Sequence, residues 1–237
     1  MVALDAVTSR TQLVTVVAVQ YFSGTAEELH ALPMPTQGDE PELWVMQPTT
    51  PALVMGSSQK PEQFDRERLV IDGVELATRR SGGGAVFIDP AATVWLDLVT
   101  PRSSAWWSSE LAENFLIVGR VWQTALASLQ VDTDLCTSAP DRSDDARLVC
   151  WAGVGWGELT LAADESGRQA KVIGLSQRRT RWGARVQAMA VVDASNTRAS
   201  DYFVDPTVGP EITPVSLSVS RSQVLEAALA AFAAQSS

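Results

Sequence analysis

The chain has 237 residues and a formal net charge of -10, from 28 acidic against 18 basic side chains, and 46 % of it is hydrophobic. A chain of this length buries about 70 to 75 % of its unfolded surface, enough for a core without disulfides or structural metal, and the hydrophobic share excludes a disordered chain. Acidity without a long basic run argues against nucleic acid; two cysteines point to a reducing compartment; the absence of a leader pattern or of roughly 18 consecutive apolar residues leaves a cytoplasmic protein with no membrane partner as the expectation.

In chain order, short β-branched or alternating runs predict strands over Leu13 to Val19, Leu43 to Gln47, Leu53 to Gly56, Val74 to Thr78, Ala85 to Asp89 and Val94 to Val99. A helix over Pro61 to Ile71 begins on proline, and a longer one over Ser109 to Gln130 carries Phe115, Val118, Trp122 and Ala125 at helical spacing. Asp132 to Arg147 is polar and turn-rich and reads as an exposed loop containing Cys136. Strands are expected again over Arg147 to Trp151, Glu158 to Ala162, Gln169 to Gly174 and Arg185 to Asp193, with a hairpin turn at Asp164 to Gly167. Ser220 and Gln223 form a capping-box pattern ahead of a terminal helix. With no repeat and no linker, residues 1–237 read as one mixed α/β domain.

Residue counts restrict the chemistry. His30 is the only histidine, and Lys60 and Lys171 are the only lysines. A Ser-His-Asp or Cys-His site would need His30, and no metal-ligand spacing surrounds it or the cysteines. His30 falls in a short helix-like stretch, Ala26 to Leu32, where a surface or capping role is expected. Arg178, Arg179, Arg181 and Arg185 form a local basic cluster that could meet an acidic carrier domain or nucleotide phosphates.

The string Arg79, Arg80, Ser81, Gly82, Gly83, Gly84, Ala85 and Val86 places three glycines between strands. Such a run costs conformational entropy, which suggests positive φ or close backbone approach. Its N-H groups could meet a carboxylate, acyl oxygen or phosphate. It is neither a Walker loop nor a dinucleotide fingerprint. A second block runs from Cys150 through Trp151, Gly153, Gly155, Trp156 and Gly157 to Glu158, and continues as Lys171, Val172, Ile173, Gly174, Leu175, Ser176, Gln177, Arg178 and Arg179.

The first string resembles the signature of the biotin/lipoate protein ligase family, in which this loop encloses the lipoyl or octanoyl chain. Many members carry histidine where this chain has Ile88. The Lys-x-x-Gly-x-Ser-Gln string resembles the family's catalytic-lysine motif. Its continuation, with a cysteine one hairpin earlier, is most similar to the branch of octanoyl transferases that move an acyl group between carrier proteins. The resemblance covers roughly Leu43 to Asp193. It implies an α/β (α+β) fold, with a mixed, largely antiparallel sheet and packed helices like the catalytic domain of class II synthetases and biotin ligases. It also implies catalytic Cys150 and Lys171, and substrate contacts from Arg79, Arg80, Ser81, Gly82, Gly83, Gly84, Ala85, Gly174, Ser176 and Gln177, with no metal ligands.

On chemical grounds a cysteine is a strong nucleophile as its thiolate, and a nearby ammonium would stabilise both thiolate and oxyanion. Trp151, Trp156 and Trp182 are candidates for lining an acyl tunnel. Three readings follow. In the first, Cys150 takes an octanoyl or lipoyl group as a thioester and passes it to the lysine of a lipoyl carrier domain, a glycine cleavage H-type protein or a 2-oxoacid dehydrogenase E2, with no cofactor. In the second, an ATP- and Mg2+-dependent lipoate-protein ligase uses Lys171 while Cys150 only packs. The third is a non-catalytic relative that keeps the fold.

Overall fold

The computed structural model describes residues 17–36, 39–163, 169–192, 198–208 and 217–235. The turn expected at Asp164 to Gly167 and the start of the first expected strand lie outside them. Strands β1 (Ala18–Gly24), β2 (Glu42–Pro48), β3 (Ala52–Met55), β4 (Glu75–Thr78), β5 (Val86–Ile88), β6 (Thr93–Pro101), β7 (Asp134–Leu135), β8 (Leu159–Thr160), β9 (Lys171–Arg179) and β10 (Gly183–Val191) alternate with five α-helices. These are α1 (Ala26–Ala31), α2 (Arg66–Ile71), α3 (Leu111–Ser128), α4 (Asp144–Leu148) and α5 (Arg221–Gln235).

Seven strands form one sheet in the order β1-β2-β6-β10-β9-β8-β7, and three form a second in the order β4-β3-β5. Among the described strands, only β1 with β2 and β3 with β4 pair in parallel. The sheets are thus mixed and largely antiparallel, as the resemblance implied.

Strand periodicity explains where the core and the polar groups go. On β2, β6 and β10, Leu43 and Val45, Val94, Leu96 and Leu98, and Val186, Ala188 and Ala190 all join one apolar cluster. That cluster packs on Val118, Trp122 and Leu126 of α3 and on Val224, Ala228 and Phe232 of α5. The alternate residues Trp44, Met46, Trp95, Val99, Met189 and Val191 belong to a second cluster with Ala26 and Leu29 of α1 and Ala52, Val54, Val86 and Ile88 of the smaller sheet. The central strands are therefore buried on both faces, and Asp97, Arg185 and Gln187 are enclosed with the second cluster's face.

The long helix and the terminal helix match their predicted positions. Gln130 at φ 61 follows the end of α3, and Ser220 and Gln223 form the expected reciprocal cap of α5. Three expectations need correction. The helix over Pro61 to Ile71 is broken: a single 3-10 turn, Pro61–Gln63, is followed by α2, because the Asp65 carboxylate caps a new start by accepting from Arg68 N. The polar stretch Asp132 to Arg147 contains β7 and α4, the latter capped by Ser143. The strand over Arg147 to Trp151 is absent: α4 ends at Leu148 and Cys150–Ala152 forms a 3-10 turn. Val149 alone keeps an isolated parallel bridge, to Ala85. Among the described residues no helix is long and apolar enough to cross a membrane.

Candidate active site

The two sequence blocks meet through backbone hydrogen bonds. Ala85 N donates to Leu148 O at 2.7 Å, and Cys150 N donates to Ala85 O at 2.8 Å. Two glycines make that approach feasible. Gly83 sits at φ +99, a conformation other residues avoid, and a Cβ on Gly84 would lie 2.5 Å from Val149 N. The Arg79 guanidinium, buried, holds the loop from inside by donating to the carbonyls of Gly82 and Gly84. Burial lowers its pKa, with Cys150 and Glu158 opposing.

Lys171 opens β9 almost fully buried. Its ammonium donates to Cys150 O at 2.8 Å and Gly153 O at 2.9 Å, and pairs with Glu158 Oε1 at 2.8 Å. Three donors meet three acceptors. Glu158 also accepts from Leu175 N and Gly155 N, both at 2.9 Å. Burial would push the ammonium down, but the Glu158 carboxylate and the neighbouring Cys150 outweigh it and hold the pKa above its ordinary value. Glu158 was not singled out in the sequence. Its signal is a lone acid between a glycine-rich run and an apolar strand.

A cavity of about 320 Å³ lies over this pair, bordered by Gly82 to Gly84, Cys150, Lys171, Glu158, Ser176 and Gln177. A smaller one, about 40 Å³, continues the site beneath it and shares Arg79, Cys150, Leu175 and Ser176 with the first. Cys150 therefore borders both. Gly174 lies against both functional side chains: a Cβ there would be in ordinary contact with Lys171 Cε at 3.4 Å and Cys150 Sγ at 3.7 Å.

Of the expected contact residues, Arg79, Gly82, Gly83, Gly84, Gly174, Ser176 and Gln177 line one or both cavities. Ser81 stands just behind, its hydroxyl 3.1 Å from Ser176 Oγ. Ala85 is buried in the backbone bridge, and Arg80 is exposed and borders neither cavity. Trp156 borders the larger cavity, and Trp151 places its ring 5.7 Å from the Lys171 ammonium. Trp182 lies under Arg181 instead, while Trp95, not anticipated, borders the smaller cavity. Cys136 borders neither cavity and pairs its backbone with Gly157 and Glu158.

The basic cluster disperses. Arg185 is buried against Asp97 at 2.5 Å, and Arg179 donates to the carbonyls of Ser108 and Ser109 and covers Trp107. Arg178 and Arg80 remain near one another; burial and the charges of Arg80 and Arg185 lower the Arg178 pKa.

His30 overturns the expectation of a surface or capping side chain. Thr25 caps α1 by accepting from Glu28 N, and the helix then turns Ala26, Leu29 and His30 inward. The imidazole packs against the Trp95 ring, tilted by 38° with centroids 4.7 Å apart, and borders the smaller cavity. Burial, helped by Arg79 and Arg185, lowers its pKa from 6.5 to about 3. The unfolded chain binds this proton between those values and the folded chain does not, so stability from this group is complete above about pH 6.5 and is lost as pH falls toward 3. His30→Phe is expected to flatten the rise of unfolding free energy with pH over that window, checked by urea titrations at each pH; an unchanged slope would refute it.

Comparisons with known proteins agree with this architecture. The model of the lipoyl protein ligase A/B catalytic domain matches residues 24–231. No curated protein matches. Among solved structures, a lipoate-protein ligase A bound with ATP superposes with a TM-score of 0.71 at 17 % identity, covering 92 % of this chain and 85 % of that one. A bi-partite lipoate protein ligase from Thermoplasma acidophilum, studied with its E2 lipoyl domain, gives 0.69 at 16 %, covering 93 % and 83 %. LipL1 of P. falciparum, in complex with lipoate, gives 0.62 at 13 %, covering 91 % of this chain and 61 % of its own. These likenesses establish the fold, and the family model spans most of the chain; the chain belongs to the lipoyl protein ligase A/B catalytic-domain family.

Proposed function

We propose that this protein transfers an octanoyl or lipoyl group onto the lysine of a lipoyl carrier domain through a thioester on Cys150. The observation that carries the reading is the place of Cys150, bordering both cavities beside two buried cations, Lys171 and Arg79, with the buried Glu158 carboxylate paired to Lys171. The Cys150 sulfur attacks the donor's acyl carbonyl, the donor's thiol leaves with a proton, and an S-acyl bond forms. The neutral amine of the acceptor lysine then attacks that carbonyl; the C-S bond breaks, an amide forms and the thiol is restored. Negative charge develops on the carbonyl oxygen in both steps within the field of these cations. Lys171 acts through that field and through its bonds to the carbonyls on either side of the 3-10 turn, which fix the sulfur's position. Arg80 and Arg178 offer cationic contacts to an acidic carrier, such as an H-type protein or an E2 lipoyl domain.

Intact-mass spectrometry after incubation with octanoyl carrier tests this. The expected result is a gain of one octanoyl group on Cys150 without nucleotide. Failure to form the adduct, with lipoate-dependent pyrophosphate release from ATP instead, would overturn it.

That second outcome is the ligase reading, and one observation favours it. Both amide atoms of Gln177, which borders the larger cavity, are buried without a hydrogen-bond partner. A primary amide supplies the donor and acceptor that a purine edge can meet. Asp141, also on that border, is a carboxylate that would meet an Mg2+ ion carried in with the phosphates. Bound ATP would supply activation of the carboxylate as an adenylate.

A further inference from the structure

The smaller cavity is apolar on most of its border, from Val86, Ile88, Trp95, Leu175, Ala188 and Met189. One polar atom there is unaccounted for. His30 Nε2 is buried and has no hydrogen-bond partner, in a residue only 9 % exposed. Its protonation follows from its neighbours. The Gln187 amide oxygen lies 3.3 Å from the hydroxyls of both Ser81 and Ser176 and accepts from them. The Gln187 nitrogen therefore donates, once to the Asp97 carboxylate and once to His30 Nδ1 at 3.2 Å. Asp97 is itself fixed by Arg185 and by Trp95 Nε1, so the amide cannot turn over without setting its oxygen against a carboxylate. Nδ1 is thus the acceptor, and the neutral ring carries its proton on Nε2. A buried donor without an acceptor is costly to the protein and is resolved when a ligand supplies one.

Resting on the proposed Cys150 thioester, whose acyl chain can enter this cavity from the cysteine on its border, we propose that His30 Nε2-H reads a heteroatom on the chain, so that the site selects a sulfur-bearing lipoyl group over the unsubstituted octanoyl group. A saturated chain leaves the donor orphaned. A dithiolane offers sulfur lone pairs to the N-H and a polarisable surface to the Trp95 ring that packs against His30. A pocket with one directional polar contact discriminates against the analogue that lacks its partner more sharply than an apolar one does.

The test is calorimetric titration of the protein with lipoamide and with octanamide, neutral probes that need no carrier or nucleotide. Wild type is expected to bind lipoamide about tenfold more tightly. His30→Phe should bring the ratio near unity. His30→Gln, whose amide nitrogen can reach the position of Nε2, should restore it, which a purely structural role would not do. Equal affinities in wild type, or an unchanged ratio in His30→Phe, would overturn the proposal while leaving acyl binding intact. Binding of neither amide would overturn the acyl-cavity reading and the proposal with it.

Discussion

Cys150→Ala is expected to lower acyl transfer by at least about a thousandfold, because the other nucleophilic group bordering both cavities, the Ser176 hydroxyl, is a far weaker nucleophile than a thiolate and donates its proton to Gln187. Folding should hardly notice. The polar contacts of this residue are made by its backbone: N donates to Ala85 O, and O accepts from Lys171. An alanine keeps both. Loss of the thiol's packing should cost about 1 kcal/mol. Urea unfolding of the variant beside an acyl-transfer assay separates the two effects, and transfer at the wild-type rate would sink the thioester mechanism. In a ligase the same variant should keep nearly full activity, so this substitution also distinguishes the two chemistries.

Glu158→Ala should be the most damaging single change for stability. It strands the buried Lys171 ammonium and leaves Leu175 N and Gly155 N without an acceptor. Removing one partner of a buried ion pair costs about 3 to 5 kcal/mol, a large part of a typical domain's stability. Glu158→Gln, which keeps an oxygen for one of these donors, should recover part of the loss. Pairing Glu158→Leu with Lys171→Met should be less harmful than the sum of the two single changes, since no charge is left buried alone. Denaturation midpoints of the four proteins close the cycle, and strictly additive effects would show that the pair is not coupled.

Some of this was legible in the sequence and some was not, for a physical reason. Gly83 and Gly84 announced a loop needing unusual backbone geometry, and Lys171 and Cys150 stood inside strings whose order matches a known family. The helical stripe of Phe115, Val118, Trp122 and Ala125 gave α3 because apolar periodicity is a local property. The polar network is not local. His30 and Gln187 are 157 positions apart, and Gln187 and Asp97 are 90 apart. What the sequence does carry is the oddity of single polar residues, Asp97 and Gln187, at inward positions of otherwise apolar strands, which marks a face but not the partner. The polar composition of Asp132 to Arg147 hid α4 for the opposite reason: five residues capped by Ser143 are too few to build a stripe. Cys150 lost its expected strand because the chain needs to turn there to hand two carbonyls to Lys171.

The bridge between Ala85 and Val149 has a bearing on how such a site could be moved or inherited. Because the glycine loop and the cysteine turn are laced together by main-chain bonds, neither is a portable motif. Grafting the cysteine turn into another scaffold would leave its amide without a receiver, and grafting the loop alone would leave Gly84 nothing to abut. The smallest heritable part is the pair, so drift in either segment is constrained by the other through backbone shape, whatever the side chains between them become.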